Sequence, residues 1–195
     1  IMTTRRDFLK TMTMASAGLA LGAGDILANP TFASQRKITD KVKIAYVGIG
    51  NRGEQIIGDF ARTGMVEVVA LCDVDMGAPH TQKVMNLYPK AKRFRDFRQM
   101  FDKAGNEFDA VAIATPDHSH FPISMLALAS GKHVYVEKPL ARTFYEGELL
   151  MQAALKRPNL VTQVGNQGHS EANYFQFKAW MDAGIIKDVT AVTAH

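Results

Sequence analysis

The chain is 195 residues long, 47% hydrophobic and 22% charged, with a net charge of +4. This is a globular composition, long enough for one ordinary domain or one domain and part of another. Its basic residues are dispersed, and the densest run, Lys90–Arg98, contains Asp96 and reads as a solvated face, not a nucleic-acid patch. The single cysteine, Cys72, excludes an internal disulfide and, lying in an apolar strand, reads as a small buried side chain.

Residues 1–33 read as a segment outside the fold. Thr4-Arg5-Arg6-Asp7-Phe8-Leu9-Lys10 is a twin-arginine pattern, and the mildly apolar, small-residue run Thr11–Ala23 follows it. Leu27-Ala28 or Phe32-Ala33 closes a small-residue cleavage site. The expectation is export in the folded state to the periplasm or beyond, with no membrane attachment after cleavage; the bland alternative is a disordered arm. Residues 34–41 continue as a polar linker.

From there strand and helix alternate with short connections, the pattern of an α/β, doubly wound parallel sheet. Strands are expected at Val42–Val47, Val66–Cys72, Ala91–Phe94, Phe108–Ala114, Lys132–Val136 and Leu160–Val164. Helices are expected at Gly53–Arg62, Pro79–Leu87, Phe97–Ala104, Pro122–Ser130 and Phe144–Arg157, the last capped by Thr143. These elements make residues 42–168 one domain. Residues 169–195 read as a connecting helix, Ala172–Ala183, stopped at Gly184, and a strand, Val189–His195, which opens a second α/β domain otherwise lacking.

The first strand runs into Gly48-Ile49-Gly50-Asn51-Arg52-Gly53. Gly48 allows a tight turn, Gly50 lets a pyrophosphate approach the backbone, and Gly53 lets the helix pack on the strand. The helix N-terminus then offers N–H groups and a positive dipole end to phosphates. The second strand ends at Asp73, about twenty residues further on, where an acidic group holds an adenosine ribose. Together they indicate a dinucleotide. Asp73 and Asp75 repel a 2′-phosphate, and no Arg or Lys follows until Lys83, which favours NAD over NADP. Arg52, able to reach a 2′-phosphate from the glycine loop, is the one opposing feature.

Three further clusters fall at carboxyl ends of strands, where ligands of open α/β sheets bind. Thr115-Pro116-Asp117-His118-Ser119-His120 places a hydroxyl and two imidazoles at the crevice; the alternative is a plain turn with a helix cap. No acidic or Cys partner at metal-ligand spacing accompanies the histidines, so no metal is expected. Glu137-Lys138-Pro139 offers a lysine that donates to substrate hydroxyls and relays protons, with Pro139 fixing the turn through a cis bond; the alternative is a surface ion pair of Glu137 with Lys138. Gly165-Asn166-Gln167-Gly168-His169-Ser170 sets two carboxamides at the same edge, as partners for a nicotinamide carboxamide or as a simple Gly-Asn loop.

In order and spacing, GIGNRG (Gly48–Gly53), ALCDVD (Ala70–Asp75), ATPDHSH (Ala114–His120) and GKHVYVEKPL (Gly131–Leu140) resemble the Gfo/Idh/MocA oxidoreductases. The later VTQVGNQGHS (Val161–Ser170) is similar to a twin-arginine-exported subgroup. The resemblance implies a Rossmann domain followed by a C-terminal α/β domain that covers the nicotinamide and supports homo-oligomerisation. It implies that Gly48, Gly50 and Gly53 border the pyrophosphate and Asp73 the ribose, with Asn51 and Arg52 of the same loop also binding the cofactor. Thr115, Pro116, His120, Glu137, Lys138 and Gln167 would then border the rest of the cofactor, with Lys138 as the catalytic residue near the reacting hydroxyl. The implied reaction is hydride transfer between the nicotinamide and a sugar or polyol hydroxyl or ketone. The family's catalytic histidine would lie beyond His195, so this chain alone is expected to bind NAD and turn over little. An NAD-dependent redox glycosidase and a non-catalytic nucleotide-binding module are the other readings carried forward.

Overall fold

The computed structural model describes residues 41–166, 168 and 171–193. The proposed leader, most of the linker, and Gln167 with His169 and Ser170 therefore lie outside the described residues. In chain order the elements are β1 (Val42–Val47), α1 (Arg52–Arg62), β2 (Val66–Cys72), α2 (Pro79–Leu87), β3 (Lys92–Phe94), α3 (Phe97–Ala104) and β4 (Ala110–Ile113). They continue with α4 (His120–Ala129), β5 (His133–Val136), α5 (Phe144–Leu155), β6 (Thr162–Val164) and α6 (Ala172–Asp182), with one-turn 3-10 helices at Gly105–Glu107 and Asp117–Ser119.

The six strands form one sheet in the order β3-β2-β1-β4-β5-β6. Every neighbouring pair is parallel. The order reverses beside β1, which makes the gap between β1 and β4 a topological switch point where a crevice must open. Side-chain alternation along β1 sends Ala45 and Val47 to one face and Ile44 and Tyr46 to the other. The first face packs on α3, α4 and α5 through Met100, Ile123, Leu128 and Leu150. The second packs on α1 and α2 through Ile56, Ile57, Val84 and Met85. With both faces covered, the central strands are almost continuously apolar, the composition a buried parallel sheet requires.

Local chemistry sets several element ends. Asp96 caps α3 by accepting the Arg98 N–H at 2.9 Å. Thr143 and Glu146 form the reciprocal capping box of α5, as the sequence leads one to expect of Thr143. Cys72 is buried, and burial pushes its thiol up to about 12.

The differences from the expected elements are at their edges. Strands β3 to β6 are shorter than expected, α4 starts at His120 instead of Pro122, and α5 ends at Leu155. Phe108 and Ala114, assigned to a strand by their apolarity, flank β4 instead, because parallel pairing with β1 spans only Ala110–Ile113. Residues 189–193 form no strand; an apolar run becomes a strand only when it has a neighbour to pair with, and among the described residues it has none. Helix α6 buries none of its residues and exposes Phe175, Phe177 and Trp180. No described helix is long and apolar enough to cross a membrane.

Candidate functional site: a cleft at the strand switch point

A cleft of about 1000 Å³ opens at the carboxyl ends of β1, β2 and β4, lined among others by Gly48, Gly50, Asn51, Asp73, Thr115 and Pro116. Its floor is the β1–α1 loop. Gly48 has φ +81°, and a Cβ there would stand 2.6 Å from the Ala114 carbonyl. A Cβ on Gly53 would lie 2.0 Å from the Gly48 oxygen. Both positions therefore accept only glycine, one for its conformation and contact, the other for helix–strand approach. Asn51, between them, has φ 47°, a left-handed value that Asn tolerates better than most residues.

Asp73 is tied to this loop. Its Oδ2 accepts the Ile49 N–H at 2.9 Å, and its Oδ1 accepts the Asp75 N–H at 3.0 Å. Each carboxylate oxygen keeps acceptor capacity, so the group is fixed in place and still able to receive a hydroxyl. The sequence motif leads one to expect a ribose acceptor at Asp73; that this residue also anchors the glycine loop is visible only once β1 and β2 are paired.

On the other side of the switch point, Arg52 reaches across to Glu137. Its Nη2 donates to Glu137 Oε1 at 3.1 Å, and its Nη1 donates to Gln55 at 3.0 Å. Tyr135 OH donates to the same Glu137 oxygen at 3.0 Å. Gly165 closes the cluster, since a Cβ there would lie 2.3 Å from Tyr135 OH and 2.4 Å from Glu137 Oε1. Burial pushes the Glu137 carboxyl up, but the hydrogen bonds from Arg52 and Tyr135 outweigh it and hold the group below its ordinary value. Burial, reinforced by Glu137, pushes the Tyr135 phenol up to about 12. The expected alternative, a surface pair of Glu137 with Lys138, is replaced by this buried one, because neighbouring residues on an extended segment point to opposite faces. Arg52 is thus engaged by Glu137 and Gln55.

The β4–α4 loop divides in two. His118 and Ser119 line the cleft, whereas His120 does not face it. His120 is 1% exposed, and its ring contacts the Pro139 carbonyl at 2.6 Å through Nδ1 and the Thr115 carbonyl at 2.8 Å through Nε2. The expectation that both imidazoles face the crevice is thus corrected for His120. Helix α4 begins at this residue, and its first turn carries the ring inward between the loops after β4 and β5. His120 joins the Thr115-Pro116 loop to the Glu137-Lys138-Pro139 loop, whose Lys138–Pro139 bond is cis as expected. Lys138 itself is exposed.

Three residues missing from the sequence reading take part. Tyr135 alternates with Glu137 on one strand face, a signal readable in principle from the period of two. His80, at the start of α2, and Arg95, after β3, both line the cleft near Asp73. Although no Arg or Lys follows Asp73 in sequence until Lys83, β2–β3 pairing carries Arg95 to the same cleft. Lys83, the nearest cation in sequence, is paired with Glu54.

The residues present fit a dinucleotide. The glycine cradle admits backbone approach, Asp73 is pre-oriented, and the buried Oγ1 of Thr115, a residue that lines the cleft, has no partner among the described residues. Buried polar atoms without partners cost stability, and ligand groups are a usual remedy. No group of three or more His, Cys, Asp or Glu suited to a metal occurs among the described residues.

Comparison with known proteins agrees with this geometry. Residues 42–165 match the profile of a family described as "Oxidoreductase family, NAD-binding Rossmann fold". Inositol 2-dehydrogenase of Salmonella typhimurium (strain LT2) is 30% identical over 147 residues, covering 74% of this chain and 43% of that protein. Glycosyl hydrolase family 109 protein 2 of Shewanella sp. (strain ANA-3) is 28% identical over 160 residues, covering 73% of this chain and 35% of its own length. The crystal structure of scyllo-inositol dehydrogenase from Lactobacillus casei with bound NAD(H) and scyllo-inositol superposes with a TM-score of 0.67 at 28% identity, over 77% of this chain and 44% of that one. The chain thus spans less than half the length of these relatives.

Proposed function

Because the chain belongs to the Gfo/Idh/MocA oxidoreductase family, we propose that it is the nucleotide-binding part of an NAD-dependent dehydrogenase acting on a sugar or polyol. The observation that carries this reading is that the glycine loop, Asp73, Thr115 and Pro116 line one cleft at the strand switch point, with Arg52 tying the glycine loop to the Glu137-Lys138 loop. When bound, NAD supplies the hydride acceptor or donor. The chain's own residues bind and orient it: Gly48–Gly53 receive the pyrophosphate, Asp73 the adenosine ribose, and Thr115, Pro116 and Glu137 the nicotinamide end. Lys138, which is exposed, would take the hydroxyl proton as the neutral amine when the carbinol is oxidised, and give a proton to the carbonyl oxygen as the ammonium in the reverse direction. Gln167 belongs with the nicotinamide contacts on this reading.

NAD in preference to NADP is supported by the fixed carboxylate of Asp73 and by the commitment of Arg52 to Glu137. The twin-arginine pattern at Arg5-Arg6 supports export in the folded state with the cofactor in place. A redox glycosidase is the second reading, favoured by the glycosyl hydrolase family 109 relatives; Lys138 in its Glu-Lys-Pro setting favours the dehydrogenase. A module that binds nucleotide without catalysis is the third.

The test is polyol-dependent NADH formation by the natural protein and its Lys138→Met variant, followed by nicotinamide absorbance. The dehydrogenase reading predicts NADH formation that the variant loses. Release of an aglycone from a glycoside with no net NADH supports the glycosidase instead. Tight NADH binding with neither reaction supports the module.

A further inference from the structure

His80 is the second residue of α2, and its ring lies against Gly50 in the middle of the glycine loop. A Cβ on Gly50 would stand 2.2 Å from His80 Cδ2 and 2.7 Å from Nε2, so the imidazole occupies the space that glycine leaves there. The ring lines the same cleft as Gly48, Asn51 and Asp73. Neither ring nitrogen has a hydrogen-bond partner among the described residues, although the rest of the loop is well tied down. Close by, the ion pair of Glu54 on α1 with Lys83 on α2 holds the first turns of the two helices together. The imidazole is thus presented, by two helices and without a competing partner, at the point where a dinucleotide's phosphates meet the backbone of Gly50.

We propose that His80 is a side-chain ligand of the dinucleotide's pyrophosphate, donating from its ring to a phosphate oxygen and closing over the glycine loop from α2. This rests on the dinucleotide reading of the cleft. It gives the absence of a side chain at Gly50 a second role: glycine admits not only the phosphates but the ring that contacts them. An imidazole N–H to a phosphate oxygen is a hydrogen bond to a charged acceptor, among the stronger kinds.

The experiment is a fluorescence titration of the full chain with NADH, followed by displacement of NADH by ADP and by adenosine, in wild type and His80→Ala. The expected result is binding of NADH and ADP weakened about five- to tenfold in the variant, the scale of one charge-assisted hydrogen bond, with adenosine unchanged. His80→Lys should restore ADP binding where His80→Gln restores it only in part. That ranking tests the phosphate contact even if the alanine variant lowers Tm. Unchanged ADP affinity in His80→Ala, or equal weakening of ADP and adenosine, overturns the His80 assignment while leaving the cleft intact. Failure of the wild type to bind NADH overturns the dinucleotide reading and the assignment with it.

Discussion

Arg52 and Glu137, 85 positions apart in sequence, meet with Nη2 3.1 Å from Oε1. The contact joins the glycine loop after β1 to the loop that carries Lys138, so the two loops are braced by one ion pair. Glu137 is only 5% exposed at its side chain, against 33% for Arg52, and the two ends of the pair respond unequally to mutation. Arg52→Met leaves a buried carboxylate without its cation and should destabilise the domain by about 2–4 kcal/mol. Glu137→Gln keeps the shape and removes the charge, and should cost about 1–2 kcal/mol. Urea unfolding of both single variants and the double variant checks this; the double variant should lose less than the sum.

The same carboxylate gives the domain an acid-sensitive component. The folded Glu137 carboxyl sits below its ordinary value of 4.5, so between the folded and unfolded values the unfolded chain binds the extra proton. The stabilisation is fully present above the unfolded value and is lost as pH falls through the folded one. The difference in unfolding free energy between wild type and Glu137→Gln should therefore shrink steadily below about pH 4.5 and be constant from there to neutrality.

The glycines of the loop should differ in their tolerance. At Gly53 an added methyl meets the Gly48 oxygen at 2.0 Å, a backbone atom that cannot step aside. Gly53→Ala should cost about 2–3 kcal/mol, as overpacking does, and impair dinucleotide binding. At Gly50 the nearest atoms to the methyl belong to the His80 ring, a side chain that can rotate away. Gly50→Ala should leave Tm close to wild type and lose affinity for NADH. Thermal unfolding and NADH titration separate the two.

His120 should behave as a structural tie. Its ring bridges two carbonyls, those of Thr115 and Pro139, and His120→Phe leaves both without this partner in a buried place. A loss of about 2–4 kcal/mol is expected, with NADH affinity falling through loss of loop order. Hydrogen exchange of the Thr115 and Lys138 loops should rise in the variant. Unchanged exchange in both would contradict the tie.

Much of this was legible beforehand because it is local. Strand and helix order follows from apolar runs and periodicity, and the glycine loop, Asp73 and the cis Lys138–Pro139 bond follow from motifs only a few residues long. What escaped depends on pairing between distant segments. Arg95 approaches Asp73 because β3 pairs with β2, and Arg52 reaches Glu137 because β1, β4 and β5 lie side by side. The inward turn of His120 depends on where α4 begins, an end that apolar periodicity does not fix. The strand expected from Val189 onward fails for the same reason: pairing needs a neighbour, which the run's own composition cannot supply.

The most direct test of the central claim is a titration of the chain with NADH and NADPH by nicotinamide fluorescence, repeated for Asp73→Ser. The account predicts that NADH binds at least about tenfold more tightly than NADPH, the scale of one well-placed carboxylate, and that Asp73→Ser weakens NADH and narrows the gap. Binding of NADPH equal to or tighter than NADH would assign the selectivity to Arg95 instead of Asp73. No binding of either by a folded chain would contradict the cofactor site itself.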